Sequence, residues 1–92
     1  MRRYPVSLSD ASHQILRHLH PDIKRSVRKA LDDLSRSPYL GKPLKEELEG
    51  LWSLPVSRHR IIYQIEKRVV AVVFIGPRKD VYERLREILA EK

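Results

Sequence analysis

The sequence predicts an α+β domain in which an N-terminal strand, a helical hairpin and a C-terminal helix pack on a small, mostly antiparallel sheet, in the order β-α-α-β-β-β-α. Three observations lead there. Apolar residues recur at helical spacing as far as Leu34. Beyond Gly50 the period drops to two, the signature of strands. After Gly76-Pro77 helical spacing returns. Strands grouped together between helical stretches give helices layered on a sheet.

Residues 3–8 read as a short first strand. Ser9 and Asp10 can cap a helix whose apolar positions are Ala11, Ile15, Leu16 and Leu19. His20-Pro21-Asp22 restarts the chain, since proline fits a first helical turn where its missing N–H would be unbonded anyway. Ile23, Val27, Ala30, Leu31 and Leu34 then share one face, with Lys24, Arg25, Arg28, Lys29 and Arg36 around it, until Ser37-Pro38 stops the helix. Residues 38–50 form an irregular connection in which Lys45–Glu49 carries a single turn or a short strand. Trp52, Leu54 and Val56 alternate with Ser53, Pro55 and Ser57, which places the first three inward and Ser53 and Pro55 outward. A reversal near Ser57–His59 leads into Arg60–Glu66, and Lys67-Arg68 into Val69–Ile75, whose apolar character on both faces marks a central strand. Neither turn contains Asn-Gly, so turn chemistry does not fix their register. Asp80, with Glu83 three residues on, makes a capping-box-like start to a last helix with Val81, Leu85, Ile88 and Leu89 as its buried stripe.

At 92 residues the chain suits a single domain spanning 1–92. It lacks cysteine, which excludes disulfides and thiolate chemistry and fits a cytoplasmic location. The longest apolar run, Val69–Ile75, is far short of a membrane span, and no signal-like apolar segment follows Arg2-Arg3, so neither membrane nor export is expected. The net charge of +7 is spread evenly: residues 1–50 carry 10 basic and 7 acidic groups, residues 51–92 carry 9 and 5. A basic folded surface of this kind favours a polyanionic partner such as nucleic acid, ribosome or an acidic protein. His13 and His18 are off one helical face, and no ligand-spaced cluster surrounds them, so no metal is expected. Trp52, Tyr63 and Phe74 read as core.

The stretch from Tyr39 to Leu85 resembles the RelE-type toxins of the RelE/ParE superfamily. Pro43-Leu44 leads through Leu48 and Gly50 to Leu51-Trp52-Ser53-Leu54; Arg60-Ile61-Ile62-Tyr63 follows, then the apolar strand, then Ile75-Gly76 with Arg78, Asp80 and Tyr82. The resemblance implies a toxin of a type II toxin–antitoxin system that cuts messenger RNA on the ribosome, needs no metal or other cofactor, and is neutralised by a cognate antitoxin. In such chemistry the ribose 2′-hydroxyl attacks the adjacent phosphate, leaving a cyclic phosphate and a free 5′-hydroxyl. Operator DNA would be met only through the antitoxin complex.

By the same resemblance Arg60 and Arg78 match the catalytic arginines and Tyr82 a tyrosine near the scissile phosphate. Arginine suits that place because its planar fork offers paired donors and stays charged. A phenol flanked by guanidinium groups moves a proton more readily than an isolated one. Arg58 and Lys79 are expected to bind RNA, while His59 points away from Arg60 by strand parity. The sequence departs from the family at Ser53 and Pro55, where basic residues are expected, and at Pro77, where a basic or histidine side chain is common. No residue matches a general base. Two rivals stay open: a non-enzymatic inhibitor on the same scaffold, such as a ParE-like gyrase poison or a catalytically weakened toxin, and an unrelated basic nucleic-acid-binding protein.

Overall fold

The computed structural model describes residues 3–90. Five strands and three helices follow in the order β1 (Val6–Leu8), α1 (Asp10–Arg17), α2 (Pro21–Arg36), β2 (Lys42–Pro43), β3 (Trp52–Val56), β4 (His59–Glu66), β5 (Val69–Pro77) and α3 (Val81–Ala90). They form one sheet in the order β1-β5-β4-β3-β2. Only β1, which runs parallel to β5, departs from antiparallel pairing. The two-residue β2 was not foreseen, because so short a strand has no period of its own. Lys45–Glu49 takes the turn alternative, a 3₁₀ turn at Glu46–Leu48.

Both helices of the hairpin start as their residues dictate. The Ser9 hydroxyl caps α1 by accepting the Ser12 N–H at 3.1 Å. His20 caps α2 through Nδ1, which accepts the Asp22 N–H at 3.2 Å, with Pro21 in the first turn. One correction concerns α1. Ala11 is exposed and Ser12, one position on, is fully buried. Its hydroxyl reaches the Ser9 hydroxyl (2.8 Å) and the Val72 carbonyl (3.4 Å), so a hydrogen-bonded polar group fills the place expected for an apolar one.

The sheet separates two apolar clusters. On the α1–α2 face, Leu16, Val27, Ala30 and Leu34 pack on Val56, Ile61, Tyr63, Val70, Val72 and Ile75. On the α3 face, Val81 and Leu85 pack with Leu48, Leu51, Ile62 and Phe74. β5 serves both clusters through a bulge. Ile62 pairs with Phe74 and Tyr63 with Val72, so Val73 has no partner across β4. The extra residue reverses side-chain parity, which lets Ile75 join Val70 and Val72 while Phe74 faces α3. The Ser9 hydroxyl donates to the Val73 carbonyl at 3.0 Å, tying the start of α1 to the bulge.

The hairpin turns hold left-handed residues without glycine. Lys67 (φ 47°) and Arg68 (φ 64°) both take positive φ, as a type I′ turn needs, and Ser57 (φ 57°) does so between β3 and β4. Each such residue costs about 1–2 kcal/mol, so the register is imposed by the packed faces rather than by the turns.

Tyr63 is fully buried, and its hydroxyl staples the segment before β2: it donates to the Pro38 carbonyl (2.9 Å) and accepts the Gly41 N–H (3.0 Å). A Cβ at Gly41 would lie 2.7 Å from that hydroxyl and 2.8 Å from the Ser53 carbonyl oxygen, so glycine is what permits the approach. Burial pushes the Tyr63 phenol above its ordinary value of 10.0, with the Gly41 N–H pulling the other way. A raised value means that the folded protein holds this proton more tightly than the unfolded chain. The contribution is therefore complete below pH of about 10 and is lost as pH rises through the folded-state value. Tyr63→Phe leaves the Gly41 N–H and Pro38 carbonyl unpaired and should cost about 1–3 kcal/mol. Thermal denaturation at pH 7 should show Tm lower by roughly 5 °C or more, and the gap from wild type should narrow above pH of about 10. A variant that melts with wild type at pH 7 removes the staple from the account.

Candidate active site

Strand register sets the site. Arg60 of β4 lies opposite Pro55 of β3 and Gly76 of β5. Ile62, two residues on and on the same face, lies opposite Ser53 and Phe74. Gly76 leaves room beside Arg60 that the Phe74 ring takes, since a Cβ there would sit 2.5 Å from a ring carbon. α3 begins over this face. Its second residue, Tyr82, points its hydroxyl down to Ser53.

Ser53 is the correction that matters most. Parity does put it on the face opposite Trp52, Leu54 and Val56, but that face is covered by α3 rather than open. Ser53 is 1% exposed. Its hydroxyl oxygen accepts from Arg60 Nη1 at 3.2 Å and is 3.2 Å from the Tyr82 hydroxyl. The Arg60 guanidinium carbon is 5.8 Å from the centre of the Tyr82 ring, within cation–π range. Pro55, one step beyond the cover, is exposed, and Arg60 is half-buried. Arg60 Nε is buried without a hydrogen-bond partner among the described residues.

These three side chains lie at one end of a cleft of about 770 Å³, formed where β2 stops pairing and the edge of β3 is left free. Its walls include Ala30 and Lys29 of α2, the segment Leu40–Leu44, and Leu54–Val56 of β3. The structure thus brings Arg60 and Tyr82 together, with Ser53 between them. It does not bring in Arg78. That residue lines a separate shallow depression with Ser57, Arg58, Pro77 and Lys79, and its N–H donates to the Arg58 carbonyl at 2.8 Å. Arg58 and Lys79, expected to bind RNA, therefore group with Arg78 at the neighbouring corner of the sheet. Pro77 accepts the Asp80 N–H through its carbonyl (3.1 Å), closing the turn into α3. His59 does not line the cleft; its Nδ1 is buried without a partner among the described residues.

The cations of this corner have no carboxylate beside them, a property they share with several cations elsewhere on the surface. Among the described residues Arg3, Arg25, Lys29, Arg36 and Arg86 each have a carboxylate within 4.0 Å, whereas Lys42, Arg58, Arg60, Arg78 and Lys79 have none, as is also true of Arg17, Lys24, Arg28, Lys45, Lys67, Arg68 and Arg84. On α2 Arg25, Lys29 and Arg36 are met by its own acids, Lys29 within the cleft wall, whereas Lys42 and Arg60 of the cleft and Arg58, Arg78 and Lys79 of the depression are left to meet an anion from outside. Among the described residues no group of three or more His, Cys, Asp or Glu could hold a metal ion, and no helix is long and apolar enough to cross a membrane. Sequence reasoning named Ser53 only as a missing charge and passed over Lys42. One signal was available: Ile62 is apolar and shares the face of Arg60, so that face had to be covered, and its neighbour Ser53 with it.

Three helices on a mostly antiparallel five-stranded sheet, with an arginine and a helix-start tyrosine at one sheet corner and further arginines at the neighbouring one, define the class of small basic RelE-fold toxins. A family model described as the ParE toxin of the type II toxin–antitoxin system parDE matches residues 7–82. Toxin RelG of Mycobacterium tuberculosis is 35% identical over 85 residues, covering 88% of this chain and 98% of that protein. The toxin–antitoxin complex RelBE2 of the same organism contains a chain of 32% identity and TM-score 0.76, with 84% of this chain and 93% of that one covered. The isolated Escherichia coli RelE toxin shares the fold at TM-score 0.71 and 21% identity, over 94% of this chain and 98% of that one. The chain belongs to the ParE toxin family, within the RelE/ParE superfamily of type II toxins.

Proposed function

We propose that this toxin is a ribosome-dependent, metal-independent mRNA endonuclease, held in check by a cognate antitoxin. The observation that carries the reading is the half-buried Arg60 guanidinium, with no carboxylate partner, beside the Tyr82 hydroxyl in an open cleft. Attack of a ribose 2′-hydroxyl on the adjacent phosphorus forms one P–O bond as the bond to the 5′-oxygen breaks, and the 2′-hydroxyl proton passes to solvent water. Negative charge then builds on the non-bridging oxygens, where a preorganised guanidinium with unused donors stabilises it. Tyr82 is placed to give its proton to the departing 5′-oxygen. Arg58, Arg78 and Lys79, grouped two residues further along the sheet corner, suit the flanking phosphates. The ribosome supplies the orientation that a small open cleft does not.

A second reading has its own support. The matching family model is described as a ParE toxin, and Ser53, Pro55 and Pro77 stand where cations were expected; both features favour a non-enzymatic inhibitor of gyrase. Single-turnover cleavage of mRNA on programmed ribosomes, run beside a gyrase supercoiling assay, decides between them. Cleavage with supercoiling intact is expected, and the reverse result transfers the assignment to gyrase. Arg60→Ala and Arg78→Ala should each slow cleavage by about 10²-fold or more. Unchanged rates in both would mean that the chemistry lies elsewhere.

Pro55→Arg places a further guanidinium on the open part of the same face, directly across from Arg60. It should raise ribosome-dependent cleavage by about tenfold, measured in the same assay; a slower variant would show that this edge does not meet the phosphate.

The free basic corner and the partly apolar cleft suit an acidic, amphipathic antitoxin segment. Co-expression with the protein of the adjacent reading frame should give a complex that stays together on gel filtration, and separate elution at micromolar concentration counts against that partner.

A further inference from the structure

We propose that Ser53 is a positioning residue whose buried hydroxyl joins the Arg60 guanidinium and the Tyr82 hydroxyl into one unit and serves as the proton-adjusting link between them. The proposal rests on the nuclease reading and deepens it.

Geometry supports the role directly. Ser53 makes the only side-chain hydrogen bond recorded among the described residues for Arg60, and likewise the only one for Tyr82. The two groups come from different elements, β4 and α3, and among the described residues no other side chain links them by a hydrogen bond. Ser53 itself is fixed, being 1% exposed, paired across β3–β4 with the fully buried Ile62 and joined on its other side to Lys42 of β2. A side chain so placed sets where its partners sit.

A hydroxyl carries one proton and two acceptor lone pairs. The Arg60 N–H occupies one lone pair. The remaining contact with Tyr82 can run in either direction, because each group can donate or accept. With Ser53 donating, the proton of Tyr82 is released from the pair and is available to the cleft. Transfer of that proton to the departing 5′-oxygen leaves a phenolate, which the Ser53 O–H then meets as donor while Arg60 stays bonded to the same serine oxygen. The proton lost by Tyr82 is the one gained by the leaving oxygen, the 2′-hydroxyl proton passes to solvent water, from which Tyr82 is later reprotonated, and the three side chains keep their places. A cation at this position could stabilise charge, but it could not accept from Arg60. Serine exchanges one positive charge for a fixed orientation of the remaining one.

The test uses the full-length toxin and four variants: Ser53→Ala, Ser53→Cys, Tyr82→Phe and Ser53→Ala/Tyr82→Phe. Single-turnover cleavage on programmed ribosomes gives the maximal rate and the half-saturating ribosome concentration. Ser53→Ala, nearly isosteric and apolar, should cleave about tenfold or more slowly with half-saturation unchanged. Tyr82→Phe should cost several-fold less in the Ser53→Ala background than in wild type, because the two hydroxyls act together. Ser53→Cys, close in size but a poor hydrogen-bonding partner, should lose nearly as much as alanine and is read alone if alanine fails to fold. Full rates in either Ser53 variant, or an equal Tyr82→Phe cost in both backgrounds, overturn the proposal. The NMR signals of the Arg60 guanidinium N–H groups, identified by their absence in Arg60→Ala, provide a readout without turnover. They should be sharp and slowly exchanging in wild type and averaged in Ser53→Ala. If wild type cuts no mRNA, the nuclease reading fails and these signals alone judge the positioning: their loss in Ser53→Ala supports it, and their persistence overturns it.

Discussion

The register of β4 between β3 and β5 is the constraint on which the rest of the molecule depends. It lines up Ser53, Ile62 and Phe74 in one row and Pro55, Arg60 and Gly76 in the next. The first row is apolar enough to need the cover of α3; the second is flanked by a proline and a glycine, leaving space for a guanidinium. A slip of one residue would send Arg60 into the α1–α2 core and Ile61 and Tyr63 under α3. Burying an unpaired cation among Leu34, Val27 and Val70 is far more costly than the alternative. The core therefore selects the register, and the register places the site.

That selection has to overcome local preferences. Lys67, Arg68 and Ser57 adopt left-handed conformations that their side chains disfavour, and β5 gives up one ladder partner at Val73. Each cost is met by contacts distant in sequence. The bulge carbonyl is bonded by Ser9, and the segment before β2 is bonded by Tyr63, 22 residues from Gly41. The bulge also does something the plain strand could not, since it lets a single strand feed Ile75 to one cluster and Phe74 to the other. Both faces of a sheet in so short a chain are thereby filled.

Periodicity made the helices, the two hairpins and the inward set of β3 legible in the sequence, because each is a local pattern with a local cause. Ser9, Pro21 and the turn positions could be read for the same reason. Features set by distant partners could not. β2 exists because Tyr63 draws Gly41 against Ser53, and the bulge exists because two clusters compete for β5. Parity assigned Ser53 to the right face, but a period of two says nothing about what lies over that face. Arg60 and Tyr82 could be named together only through resemblance, since they lie 22 positions apart with the whole of β5 between their elements. Arg78 was named with them and is placed apart, in the depression with Arg58 and Lys79.

Electrostatics gives the departure at Ser53 a physical sense. Arg60 is already half-buried without a counter-ion among the described residues, and its Nε is buried without a hydrogen-bond partner. A second cation at Ser53, 3.2 Å from Arg60 Nη1 and nearly sealed from water, would face like-charge repulsion of several kcal/mol at an effective dielectric of about 20. A cation there would be tolerable only if it leaned out towards solvent or an anion, and Tyr82 and α3 close that route. With a neutral hydroxyl the fold keeps one guanidinium at modest cost and holds it by a bond rather than by a counter-charge. The consequence is a corner that holds one half-buried cation by a serine hydroxyl, with the remaining positive charge in the neighbouring group of Arg58, Arg78 and Lys79.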